Sequence, residues 1–137
     1  MSQFYFLSVA TLLFGGVIAA ADFLSDRLSA LSPLAGLTER RGLVLTVGIA
    51  TAVVGLLKLF LRAPADSIPV AGDLLPAVAG IATGGVLILS QMGRRSEIGP
   101  EVSQAPPPAL VEYKSPIGLA GIIVGLLHFL FPGAVIL

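Results

Sequence analysis

Four long apolar runs, separated by three stretches in which charged residues and prolines gather, set the pattern of this chain. The clearest run is 42–63, GLVLTVGIATAVVGLLKLFLRA, which carries Lys58 inside it and Arg62 at its end. A helix needs roughly 20 apolar residues to cross a hydrocarbon core about 30 Å thick, and this run supplies them. The pattern therefore predicts transmembrane helices over 3–21, 42–63, 73–92 and 116–137. Loops over 22–41, 64–72 and 93–115 join them within a single membrane domain, 1–137.

The boundaries rest on local signals. The first run ends in Ala19-Ala20-Ala21, which looks like a small-residue signal cleavage site. No basic residue precedes it, so it is expected to stay as the first span. The stretch after it holds Asp22, Asp26, Arg27, Glu39, Arg40 and Arg41. Its early part either continues the helix out of the membrane or lies along the interface with Phe23, Leu24 and Leu28 in the headgroups. Pro33 and Gly36 then break it. Asp73 is placed to cap the third helix, with Pro76 in the first turn. Pro106, Pro107 and Pro108 predict an extended polyproline spacer inside the long polar loop. Pro132-Gly133 interrupts the fourth run.

The two halves resemble each other. At an offset of 70, Gly48, Ala50, Val54, Gly55, Leu56 and Leu57 fall on Gly118, Ala120, Val124, Gly125, Leu126 and Leu127, and Lys58 falls on His128. At 69, Val9, Ala10, Gly15, Gly16 and Val17 fall on Val78, Ala79, Gly84, Gly85 and Val86. The expected fold is thus an all-α integral membrane protein, four helices arranged as a tandem, parallel duplication of a helical hairpin. Inverted-repeat transporter folds are disfavoured. Shared Gly, Ala and Leu composition is the competing explanation. Arg27, Arg40, Arg41, Arg94, Arg95 and Lys114 all fall on the first and third loops. The positive-inside rule then puts those loops in the cytoplasm and both termini on the outer side of an inner or plasma membrane.

Composition narrows the chemistry. The chain has 137 residues, 55% hydrophobic and 12% charged, with eight basic and eight acidic side chains. That is a polytopic membrane composition without the basic footprint of a nucleic-acid binder. With no cysteine and one histidine, thiolate chemistry is excluded and no metal or cofactor site is expected. There is no nucleotide-binding glycine motif and no nucleophile elbow, so no catalytic residue is expected either.

Small and polar residues share one stripe along each helix: Ser8, Thr11, Gly15 and Ala19; Gly48, Ala52, Gly55 and Lys58; Ala77, Gly80, Gly84 and Gln91; Gly118, Gly121, Gly125 and His128. Such faces let helices approach closely in lipid, inside a bundle or between copies. Asp22 and Asp26 are expected to join Arg27, Arg40 and Arg41 in an interfacial salt-bridge cluster. Lys58 either snorkels to the outer interface as an anchor, with Asp66 or Asp73 as partner, or contacts a pathway. His128, titrating near neutral pH, is either a packing residue or a proton carrier set beside Lys58 by the duplication. The function expected is a non-enzymatic, self-associating or accessory subunit of a membrane assembly, whose partners are lipid, itself or another membrane protein. The alternative is a small oligomeric channel or transporter with Lys58, His128, Arg62 and Asp73 along its pathway.

Overall fold

The computed structural model describes residues 2–60, 74–95 and 108–131, and among these the chain is entirely helical. Its elements are α1 (Ser2–Ala19), α2 (Ala21–Arg27), a 3-10 helix (Ser29–Leu34), α3 (Ala35–Glu39), α4 (Arg41–Phe60), α5 (Leu74–Arg95) and α6 (Pro108–Leu130). Three helices are long and apolar enough to cross a membrane, within Arg41–Phe60, Leu74–Met92 and Glu112–Leu130. A fourth span results if α1 and α2, bent by 63° at their junction, count as one. Expectations that fall on Arg62, Asp66, Asp73 and Pro132 lie outside the described residues.

Glycine determines how the long helices meet. Gly84 of α5 lies so close to α4 that a Cβ there would come within 2.5 Å of Gly48 O and Ala52 N. One on Gly55 would come within 2.8 Å of Ala77 O. Rising positions on α4 meet falling positions on α5, so the two run antiparallel. The same holds for α1 and α6: a Cβ on Gly118 would come 2.7 Å from Gly16 O and 2.6 Å from Ala20 N, and one on Gly125 2.9 Å from Leu13 Cδ2. α1 packs chiefly against α6 and α4 chiefly against α5, while α1 and α5 form the short diagonal and α4 and α6 scarcely touch along their length. At mid-height Gly15, Thr51, Thr83 and Gly121 make one layer across all four helices. A Cβ on Gly15 would strike Thr51 Oγ1 at 2.8 Å, and one on Gly121 would strike Thr83 Oγ1 at 2.7 Å. Ile18, Ala19, Val44, Val86 and Leu87 fill the core below that layer. Phe14, Ile49, Val53, Val78, Leu89, Ile123 and Phe129 stay exposed on the outside.

Three local features depart from expectation. The run expected as the first span bends at Ala20, whose φ of −93° and ψ of 3° leave α-helical geometry. Backbone bonds from Ala20 N to Gly16 O and from Leu24 N to Ala20 O, both 2.9 Å, continue through the bend. Ala19, Ala20 and Ala21 are fully buried there against Gly118, so the three alanines serve close packing. Residues 28–39, expected as loop, hold the 3-10 helix and α3. Finally, α6 starts at Pro108, within the stretch 93–115 expected to be a polar loop with a polyproline spacer at its middle. A proline at the first helical position lacks only an N–H that has no helical acceptor there, so it starts a helix as readily as it breaks one. Pro116 then sits inside α6.

Candidate functional site

The bundle end formed by the start of α1, the end of α4, the start of α5 and the end of α6 holds Tyr5, Ser8, Lys58 and His128. Lys58 Nζ lies 3.1 Å from His128 Nε2, joining the two helices that otherwise keep apart. Which nitrogen donates in that contact follows from the imidazole tautomer: an Nε2 without a proton accepts from the lysine amine. Tyr5 completes the group from α1: its hydroxyl donates to the His128 carbonyl, and its ring centroid lies 5.0 Å from the imidazole. His128 is 4% exposed. Both Lys58 and His128 have further interactions besides these.

Beneath Lys58 a small cavity opens between α1, α4 and α5, lined by Ser8, Thr11, Thr51, Pro76 and Gly80 among others. Its volume of about 10 Å³ holds a single water. The hydroxyls around it are already committed as donors. Ser8 donates to Tyr5 O at 2.8 Å, Thr11 to Leu7 O at 2.9 Å, and Thr51 to Val47 O at 2.7 Å and Thr11 O at 3.0 Å. Lys58 lines the same space.

At the opposite end, Lys114 of α6 reaches Asp22 of α2 with Nζ 3.4 Å from Oδ2. Lys114 is nearly buried and Asp22 about half exposed. Arg27, expected in a cluster with the aspartates, lies over the Phe23 ring, 5.3 Å from its centroid. The expected sharing of charge among neighbouring residues is in this respect replaced by a link between α2 and α6.

The glycines singled out by spacing, Gly15, Gly48, Gly55, Gly80, Gly84, Gly121 and Gly125, are all placed between helices. Spacing did not single out Tyr5, Lys114 or Thr83. Thr83 Oγ1 is buried with no hydrogen-bond partner, unlike the other core hydroxyls, and it fills the space left by the missing Cβ of Gly121. Its position three residues after Gly80 on the small face was the available signal. Among the described residues no group of His, Asp and Glu is placed to hold a metal.

Residues 1–128 match the model of a protein family, an uncharacterised domain, and the chain belongs to that family. No curated protein and no solved structure matches it.

Proposed function

We propose that the chain is a non-enzymatic subunit of a membrane assembly, built as four spans from a duplicated helical hairpin, that binds a second copy or another membrane protein through the outward face of α5. One observation carries this reading. The inward glycines are consumed by contacts within the chain, whereas a Cβ on Gly85, midway along α5, would meet nothing within 4 Å. Beside it Val78, Ala82 and Leu89 are exposed, giving a shallow strip in an otherwise bulky exterior. Close approach of another helix there follows the same packing physics that closes the bundle.

The duplication is supported by contacts that recur. Gly16 against Gly118 has its counterpart in Gly84 against Gly48, and Gly15 against Thr51 in Thr83 against Gly121. These pairs relate α4 to α6 by 70 positions and α1 to α5 by 68, one fewer than the sequence comparison suggests. The proposal relates Lys58 and His128 by a pseudo-twofold axis along the membrane normal and takes from the positive-inside rule a cytoplasmic side for both loops that carry the basic residues and an outer side for both termini.

Because the chain has no cysteine, single cysteines at Ala82 and Leu89 test the reading directly. Oxidation in native membranes is expected to give a crosslinked dimer or a defined adduct from these positions and none from Ile123 on the outer face of α6. Monomer alone from all three sinks it.

A pathway reading is favoured by Lys58, His128 and the hydroxyl-lined cavity, which lie on the bundle axis. A space of one water's size passes no larger solute in this conformation, so the pathway would have to open. Ion flux into liposomes, with Lys58→Met and His128→Ala beside the parent chain, tests it. Flux altered by either substitution supports a pathway, and no flux above empty liposomes argues against it.

A further inference from the structure

The bend at Ala20 sets the direction of everything up to Arg41. Gly118 presses on Ala19 and Ala20, and Lys114 holds Asp22, so α2 leaves the bundle at a fixed angle of 63° to α1. The chain then folds back, with α2, the 3-10 helix and α3 packing on one another before α4 begins. Thr38 is buried in this fold-back and donates to Ala35 O at 2.7 Å. What it exposes is of two kinds: Phe23 and Leu28 on one hand, and Asp26, Arg27, Glu39 and Arg40 on the other.

We infer that α2, the 3-10 helix and α3 form a collar lying in the headgroup layer of the bilayer, with Phe23 and Leu28 dipping into the acyl boundary, and that its partner is zwitterionic lipid. The occupant follows from two observations. First, Phe23 and Leu28 are exposed apolar side chains, like those on the exterior of the bundle, and α2 directly follows the helix read as the first span. Second, with Asp22 held by Lys114, the exposed charges on the collar and on Arg40, which follows it directly, balance: Asp26 and Glu39 against Arg27 and Arg40. A basic amphipathic anchor draws on anionic lipid, whereas a balanced segment matches headgroups that themselves hold a phosphate and an amine. Arg27 over the Phe23 ring sets the depth, because the guanidinium belongs at phosphate level while the ring beneath it faces the chains.

The chain contains no tryptophan, so single-tryptophan variants report depth without background. Phe23→Trp, Leu28→Trp and, as a reference on the exposed middle of α6, Ile123→Trp would be reconstituted in vesicles of zwitterionic lipid brominated either high or low on the acyl chain. The inference expects a blue-shifted emission from the first two, quenched about twofold more by shallow than by deep bromines, as for a face buried about 5–10 Å into the interface. The Ile123 probe is expected to show the reverse order. The inference rests on the membrane-spanning reading, and the reference probe separates the two. Deep quenching at Ile123 with iodide-accessible, lipid-insensitive probes at Phe23 and Leu28 overturns the collar alone. Absence of lipid quenching at all three overturns the spanning reading with it. Lipid quenching at Phe23 and Leu28 only when anionic lipid is added overturns the zwitterionic assignment. Two collar positions guard against a single variant that misfolds.

Discussion

The two tight helix pairs, α4 with α5 and α1 with α6, use glycines at matching positions, but they use them differently. Gly55 meets the α5 backbone, with Ala77 O, Ile81 N and the Gly80 carbonyl carbon all within 3.1 Å of a Cβ placed there. Gly125, seventy positions on, meets the ends of Leu13 and Leu12. Lower in the bundle the order reverses. Gly48 faces the Leu87 Cβ and Gly84 O at 3.0 and 3.3 Å, whereas Gly118 faces backbone at Ala20 and Gly16 within 2.7 Å. Backbone cannot swing aside as a leucine terminus can, so equal glycines are not equally replaceable.

That contrast can be broken most forcefully at Gly84 and Gly118. Alanine at either site drives a methyl into backbone of the opposing helix, and the expected loss is about 3 kcal/mol, the upper end for overpacking. Reversible unfolding in mixed detergent micelles would read it, and parent-like stability for both variants would refute the close approach. The matched pair sharpens the comparison. Gly55→Ala is expected to lose about 1–3 kcal/mol, while Gly125→Ala stays within roughly 1 kcal/mol of the parent as Leu13 changes rotamer. Equal losses would mean that the two crossings are equally rigid. The smallest effect is expected at Gly85, where alanine enters open space and reduces backbone freedom in the unfolded chain. A gain of about 0.5–1 kcal/mol is expected for the isolated protein.

Much of this organisation is legible in residue spacing. The apolar runs around α4 and α5 mark those helices to within three residues at each described end. The recurrence of glycine every three or four positions marks the faces found between helices. Lys58 and His128, which fall on each other in the internal match at 70 positions, meet in the structure. The bend at Ala20 is not legible, because three alanines favour a straight helix and the cause lies at Gly118, almost a hundred residues away. The start of α6 was hidden by a proline whose effect depends on whether it opens a helix or interrupts one. Asp22 with Lys114 was hidden by distance along the chain, since nearer arginines offered an equally plausible partner. For Thr83 the spacing from Gly80 marks only the small face; that its hydroxyl has no partner is a property of three-dimensional surroundings.

The pairing of α1 with α6 has a consequence for how the protein is made. A ribosome adding about 5–20 residues per second takes several seconds to pass from the end of α1 to the end of α6. Through that interval α1 has no α6 to pack against, while α4 and α5, close in sequence, can associate early. Assembly therefore closes last on the earliest segment, and a truncation that removes α6 would leave α1 with its Gly16 face unclaimed.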